Sequence, residues 1–414
     1  MSKIKLQNVL KQYKETHWVK PDVTYKQVTI SQTGKVSFRG EKKGIKIGRK
    51  RQFKINLKEH PNTLIFIRQG VYKGGIGICP PEVDGCIVTE NMPMFEIHDI
   101  ESEYLLNYLK SPQFRNDVNK LVPIGTAQKA LHEDKLLELE IPYPKKSEQD
   151  KIINKLKSIM DINLNLSNNT TNNFSLIFKL RQSILSEAVQ GKLVPQDKND
   201  EPASELLKKI KAEKEKLIKE KKIKGEKPLP PITEGEKPYE LPNGWKWVRL
   251  GDIVQMIYGD GLTKDECILN GKYPVYGSNG IVGYYNEYLI DKRAIIIGRK
   301  GSSGALNISE LPSWTTDVAY YVEESKNLDF KFLYYLLKSL KLEEMGKGIK
   351  PGLNRNETYA RILGLPPISE QIRIVQKVDQ LMQLCDQLES QVKNNQKNSE
   401  ALMNAVLREA FEVE

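Results

Sequence analysis

The sequence predicts an α+β chain in which two mixed α/β domains alternate with two long helices that pair as an antiparallel coiled coil. Three observations carry this. One helical segment occurs twice in unbroken register. Each copy follows a Pro-rich strand exit. The stretches before the two copies are similar in length and share short strand runs, Gly turns and a late helix.

The repeat sets the architecture. Ser147-Glu148-Gln149 recurs as Ser369-Glu370-Gln371. At the same offset Ile152 meets Ile374, Leu156 meets Val378, Met160 meets Met382, Leu166 meets Leu388, and Glu187-Ala188 meets Glu409-Ala410. Register held over such a length marks a duplicated element. Ile141-Pro142-Tyr143-Pro144 and Leu365-Pro366-Pro367 precede the two Ser residues, which read as helix N-caps. In the second copy Val375, Val378, Met382, Cys385, Leu388, Val392, Asn395, Ser399, Leu402 and Val406 recur every three or four residues, the narrow seam of a coiled coil. The first copy keeps the spacing through Ile153, Leu156, Met160, Leu180 and Ile184 but carries polar residues over Asn168–Asn173. Those residues either specify register or mark a loop that breaks the helix. A helix of about 40 residues extends ~60 Å.

The boundaries follow from this frame: a first domain over 1–146, a central helical region over 147–228, a second domain over 229–368 and a terminal helical region over 369–414. The first helix stops at Gln190-Gly191. A Lys-rich helix with interleaved Glu starts at Glu201-Pro202-Ala203-Ser204 and runs to about Lys224. It reads as a solvated face with i,i+4 pairs in preference to a phosphate-binding one. The Pro/Gly-rich stretch from Lys227 to Pro242 is a linker. Strand runs at Gln27–Ile30, Leu64–Ile67, Ala294–Ile297 and Val318–Val322, with late helices at Ser102–Lys110 and Phe330–Leu340, give both domains one plan.

Composition bounds the function. The formal net charge of +11 favours a polyanionic partner. Cys79, Cys86, Cys267 and Cys385 form no CxxC pair, which points to a reducing, cytoplasmic setting without structural zinc. The N-terminus lacks the apolar core of a signal peptide, and no apolar run is long enough to span a bilayer. There is no phosphate-binding GxxxxGK[ST] loop, no Asn/Asp-Pro-Pro-aromatic motif of an adenine methyltransferase and no glycine fingerprint for S-adenosylmethionine. His17, His60, His98 and His132 stand apart from any ligand set. No catalytic residue, metal site or cofactor is expected in this chain.

The candidate ligand-binding residues lie in loops. In the second domain they are Tyr276, Ser278 and Asn279 of a small polar turn, and Arg299, Lys300, Ser302 and Ser303 of a Gly-rich loop after a strand. A later loop adds Lys350, Asn354 and Arg355. In the first domain Arg68, Gln69, Tyr72 and Lys73 stand at the corresponding place, with Gln128 and Lys129 in the late loop. Arg49, Lys50 and Arg51 form a further basic cluster. Cations suit phosphates and guanine edges, and amides suit adenine edges. Two domains on one scaffold with different loops suggest two related surfaces with different targets.

Together these residues resemble the specificity subunit of type I restriction–modification systems, over essentially the whole chain. The resemblance rests on 141–160 and 365–382 at the helix starts, 183–197, the helix over 201–214, LPNGWKWVRLGDI at 241–253, YGSNGIVGYY at 276–285, GRKGSSGAL at 298–306, and Trp314-Thr315-Thr316-Asp317. It implies that each domain reads one half of a split, asymmetric double-stranded DNA target. It also implies that the helices set the half-site separation and dock two copies of a modification subunit, which binds S-adenosylmethionine and methylates adenine. A motor and nuclease (restriction) subunit can join. The first domain departs from the pattern, lacking the Gly-Trp opening and the Ser-Asn-Gly turn. The competing expectation is a stand-alone DNA-binding or chromosome-architecture protein that homodimerises through its coiled coil.

Overall fold

The chain divides into two units, Met1–Asn172 with Val392–Glu414, and Asn173–Gln391. The computed structural model describes residues 2–121, 130–221, 223–226, 228–263, 266–268, 270–346 and 352–412.

The first unit contains β1 (Lys3–Lys5), β2 (Leu10–Tyr13), β3 (Thr16–Trp18), β4 (Thr24–Ile30), β5 (Val36–Lys43), β6 (Arg51–Lys54), β7 (Thr63–Phe66), β8 (Ile76–Ile78), β9 (Ile87–Val88), β10 (Met94–Ile97) and β11 (Glu140–Pro142). Its short helices are α1 (Ser102–Leu109), α2 (Pro112–Leu121) and α3 (Glu133–Leu137). The strands form a β1-β11 pair, a sheet in the order β2-β10-β7-β8 and a sheet in the order β3-β6-β9-β4-β5. Side chains alternate across a strand, so a fully buried strand feeds two cores. In β7, Leu64 and Phe66 join the core under the helices, while Ile65 joins Met94, Val36, Phe53 and Val88 in the core against the five-stranded sheet.

The second unit follows the same frame. After α4 (Lys146–Val189) and α5 (Ala203–Lys219) come β12 (Lys246–Arg249), α6 (Leu250–Ile253), β13 (Ile257–Tyr258), β14 (Tyr273–Gly277), β15 (Gly280–Tyr285), β16 (Ala294–Gly298), β17 (Leu306–Ser309), β18 (Trp314–Thr315) and β19 (Ala319–Glu323). Then come α7 (Phe330–Ser339), α8 (Arg355–Tyr359), β20 (Ile362–Leu365) and α9 (Ile368–Phe411). The pair β12-β20 repeats β1-β11, and the order β13-β19-β16-β17 repeats β2-β10-β7-β8 strand for strand. What differs is the third sheet, β15-β14-β18 against five strands in the first unit. A common two-sheet frame carries a divergent outer sheet.

Helices α4 and α9 are 44 residues each, and each contributes to both units. Helix α4 runs unbroken through Asn168–Asn173, so the polar stretch is helix and not a loop; within it only Thr170 is half-buried, and the asparagines are exposed. Both helices begin one residue before the repeated Ser, which lies in the first turn and not at the cap. Helix α5 stops at Lys219, short of Lys224, where the backbone turns left-handed at Lys221 (φ 56°).

The two long helices pack against each other antiparallel. In the first unit Lys155 bonds Glu409 (3.2 Å), and Asn163 exchanges bonds with Ser399 through the backbone carbonyl (3.4 Å) and Oγ (3.3 Å). In the second unit Arg181 reaches Asp386 (2.6 Å) and Glu389 (3.2 Å). Leu156, Ile184, Val375 and Val378 are buried, and Ile153, Met160, Met382, Val392 and Val406 are half-buried. Leu180, Leu388 and Leu402 are not seam residues: they are 44%, 44% and 61% exposed. Their C-terminal neighbours Arg181, Glu389 and Met403 are the half-buried ones. The expected register is off by one residue at these three positions because it follows the leucines. Arg181 occupies the seam with its aliphatic stem and spends its guanidinium on two carboxylates.

Among the described residues no helix is long and apolar enough to cross a membrane, and no three His, Cys, Asp or Glu side chains are grouped to hold a metal ion.

Candidate nucleic-acid interface

In the second unit the loops singled out by sequence converge. Residues Ser278 and Asn279 form the tip of the β14–β15 hairpin, with Gly280 in the left-handed region (φ 94°). The Gly-rich loop follows β16 directly. A Cβ at Gly298 would stand 2.1 Å from the Ser302 carbonyl oxygen and 2.4 Å from that of Ser278, so glycine alone lets tip and loop lie side by side. The Arg299 and Lys300 amides both donate to the Val318 carbonyl, Leu353 N–H donates to the Arg299 carbonyl, and Lys300 bridges Gly352. One small surface therefore gathers the hairpin tip, the Gly-rich loop, the Trp314–Asp317 segment and the start of α8.

Side-chain roles within that surface differ. Arg299 donates through Nε (2.8 Å) and Nη2 (2.5 Å) to the Asp317 carbonyl and lies over the Tyr258 ring (5.4 Å). Arg355 also lies over Tyr258 (4.9 Å), donates to the Met256 carbonyl and pairs with Glu226 (3.4 Å). Asn354 caps α8 by accepting from the amides of Asn356 and Glu357. These three groups hold the loops together. Tyr276 belongs to the core, buried beside Ile296 and Ala319 with its hydroxyl on the Ile308 carbonyl (3.4 Å), so the expectation that it faces a ligand is corrected. Ser303 is buried with its Oγ unpartnered. Lys300, Asn279 and Ser302 are exposed, and among the described residues their side chains make no bond. Lys350 lies outside the described residues, as do Gln128 and Lys129.

In the first unit the basic residues also divide. Arg68 is locked to Glu133 by two bonds (2.8 and 2.6 Å), and Gln12 adds a third donor (3.4 Å). Burial acts to raise the Glu133 pKa, but Arg68 overrides it and holds the carboxyl below the usual range. Lys50 donates to the carbonyls of Gly44 (2.8 Å) and Ile47 (3.2 Å), and Arg49 pairs with Glu90 (3.4 Å) on the surface. Arg51 stacks on Phe53, and Lys73 on the half-buried Tyr72. Gln69 and Lys73 are exposed. A cleft of ≈ 320 Å³ brings Arg51 and Arg68 to one wall with Gln12, Tyr13 and Glu90.

Sequence reading missed Tyr258, the ring that receives both arginines, and Trp18, which is 66% exposed and pairs across strands with Arg51. A large aromatic on a short polar strand is the signal that could have found Trp18.

Arg68→Ala is expected to destabilise the first unit by about 1.5–3 kcal/mol, the worth of hydrogen bonds to a charged group. A depressed acid stabilises above its unfolded pKa, and that stability is lost as pH falls through the folded value. The deficit of the variant should therefore shrink on acidification. Denaturant unfolding at neutral and acidic pH measures both. A variant as stable as the parent would free Arg68 for ligand contact.

Comparison with known proteins agrees with this geometry. The family model described as "Type I restriction modification DNA specificity domain" matches residues 2–174 and 242–397. The EcoAI specificity subunit of Escherichia coli is 29% identical over 405 residues, covering 81% of this chain and 67% of that protein. The EcoEI specificity subunit, also from Escherichia coli, is 36% identical over 248 residues, covering 52% and 41%. A solved chain from a study of complex assembly and conformational transition of the type I R-M system superposes with a TM-score of 0.70 at 19% identity, over 99% of this chain and 97% of that one. The crystal structure of the HsdS subunit from Thermoanaerobacter tengcongensis gives 0.50 at 19% identity, over 99% and 96%. The solved structures speak for the fold, and the sequence match for descent: the chain belongs to the type I restriction–modification DNA specificity family and carries that domain twice.

Proposed function

We propose that this chain is the recognition component of a type I restriction–modification complex. Each recognition domain, over 1–146 and 229–368, reads one half of a bipartite, asymmetric double-stranded DNA target. The paired helices set the spacer and dock two copies of a modification subunit, which brings S-adenosylmethionine and the adenine-methylating site. A restriction and translocase subunit can join. The supporting observation is the frame itself: the same two-stranded pair and four-stranded sheet occur in both units under different outer sheets. One scaffold presenting two unlike surfaces suits two unlike half-sites. A homodimer built through the coiled coil fits less well, because α4 and α9 of one chain already occupy each other's seam.

Within the second domain the reading surface is Ser278, Asn279, Lys300 and Ser302, with Arg299, Asn354 and Arg355 as its supports. Replacing Asn279 and Lys300 with Ala should damage one half-site and leave the other intact. A lost base contact costs about 1–3 kcal/mol and relaxes one position, whereas a lost phosphate contact weakens all sequences alike. Sequencing the sites methylated by the assembled complex reads this directly, and an unchanged site removes the loop from the interface.

The outer faces of the long helices support the docking role. Ile162, Leu166, Leu176 and Phe178 on α4, and Leu384 and Leu388 on α9, are exposed apolar residues on otherwise polar helices. Such residues mark contact surfaces. Phe178→Asp should reduce co-purification of the modification subunit at least tenfold, the effect of a charge in an apolar contact, while the melting temperature holds. Undiminished co-purification would move the docking surface elsewhere.

A further inference from the structure

Gln149 and Gln371 are the same position of the repeated helix start, and their side chains make the same two bonds. The Gln149 side-chain oxygen accepts from the backbone N–H of Glu101 (2.9 Å), and its amide donates to the Pro144 carbonyl (2.9 Å). The Gln371 oxygen accepts from the backbone N–H of Asp329 (2.9 Å), and its amide donates to the Pro366 carbonyl (3.0 Å). Both glutamines are buried, at 3% and 0% exposure. Glu101 and Asp329 are the N-cap residues of α1 and α7, the helices that floor the first and second recognition domains. An N-cap amide lies outside its own helix's bond ladder and needs an external acceptor when buried. The proline carbonyls belong to the strand exits that lead into α4 and α9. Each glutamine thus ties three elements at one point: the domain's helix, the strand leaving the domain and the long helix.

The chemistry selects this side chain. The site needs one acceptor and one donor on a single planar group, which Gln supplies and Glu does not. An apolar residue there would strand a part-buried N–H and a buried carbonyl. That two domains with unlike outer sheets keep this joint unchanged separates it from target reading. We infer that Gln149 and Gln371 are positioning residues that fix the angle of each recognition domain on its long helix, and that they set how sharply the spacer between half-sites is selected. The inference rests on the proposed reading of the helices as the spacer-setting element.

The test uses the full chain co-expressed with its modification subunit and a plasmid library that holds both half-sites while randomising spacer length, with methylated sites read by sequencing. Gln149→Ala and Gln371→Ala should keep both half-site sequences and gain modification at spacers one base pair shorter and longer by about tenfold relative to the optimum, as expected for loss of paired intramolecular bonds. Ile296→Val, a core change in the second unit away from the joint, should keep the parental profile. An alanine variant that keeps the sharp spacer preference, or that instead loses one half-site sequence, overturns the inference. If the alanine variants do not accumulate, Gln371→Glu, which keeps the acceptor and loses the donor, is read by the same criteria. A parent chain that methylates all spacers alike overturns the ruler reading and the joint with it. A sharp parent profile with unchanged variants overturns the joint alone.

Discussion

Phe411→Ala is expected to destabilise the first unit by about 3–5 kcal/mol and to lower its melting temperature by roughly 10 °C, the range for removing a fully buried aromatic. Phe411 lies at the end of α9, 2% exposed, with its ring edge-on to Tyr104 (5.4 Å) and Tyr108 (5.3 Å) of α1. It joins Leu407 and Leu156 in the same core as Leu64, Phe66 and Phe95. Gln113 of α2 donates to the Arg408 carbonyl one turn earlier (2.7 Å). The last turn of α9 is therefore part of the first domain's core and not an appendage of the coil. Burial of both tyrosines, with hydroxyls pushed far above their ordinary range, says the same of their surroundings. Leu402→Ala, nine residues earlier on an exposed position, should change stability by no more than about 0.5 kcal/mol. Hydrogen exchange of α1 and α2 in the two variants separates the cases. Equal effects would mean that Phe411 is not packed as described.

That contrast also shows where sequence reading worked and where it stopped. The duplicated helix was legible because its register holds over dozens of residues, and because Pro exits and apolar periodicity are local signals. Strands such as β7 and β16 were legible for the same reason: a short apolar run bounded by turn residues has few alternatives. The seam was legible at one position of each heptad, through Leu156, Val378 and Ile184. It was misread at Leu180, Leu388 and Leu402, because a leucine looks more like the buried residue than the arginine, glutamate or methionine beside it. Arg181 is placed by Asp386 and Glu389, more than two hundred residues away in sequence, and no local pattern reports that. The loops failed in the same way. Arg68 and Arg299 look like free cations until Glu133 and the Asp317 carbonyl are brought beside them. Which loops converge was readable from their Gly content and placement. Which of their charges remain free is a property of the tertiary fold.

Inserting one heptad into each long helix at matching depth, after Leu166 and after Gln396, is expected to lengthen the preferred spacer by about three base pairs. The Asn163–Ser399 pair fixes the alignment of the helices in the first unit, so these two sites lie opposite each other. Seven residues preserve the 3.5-residue seam repeat. They add ~10 Å of helix at 1.5 Å per residue, and duplex DNA rises ~3.4 Å per base pair. Over three base pairs the duplex also rotates by roughly a third of a turn, given about 10 base pairs per turn. One domain would then meet its groove at a shifted angle, so affinity should fall even at the new optimum. The half-site sequences should not change, because no recognition loop is touched. Both glutamine joints remain intact, so the new preference should be as sharp as the old one. Inserting two residues in place of seven, roughly half a helical turn, should instead rotate the seam out of contact and destabilise the pair. Selection of methylated sites from a spacer-randomised library distinguishes these outcomes. A heptad variant that folds, binds its modification subunit and still prefers the parental spacer would show that the helices do not measure the DNA.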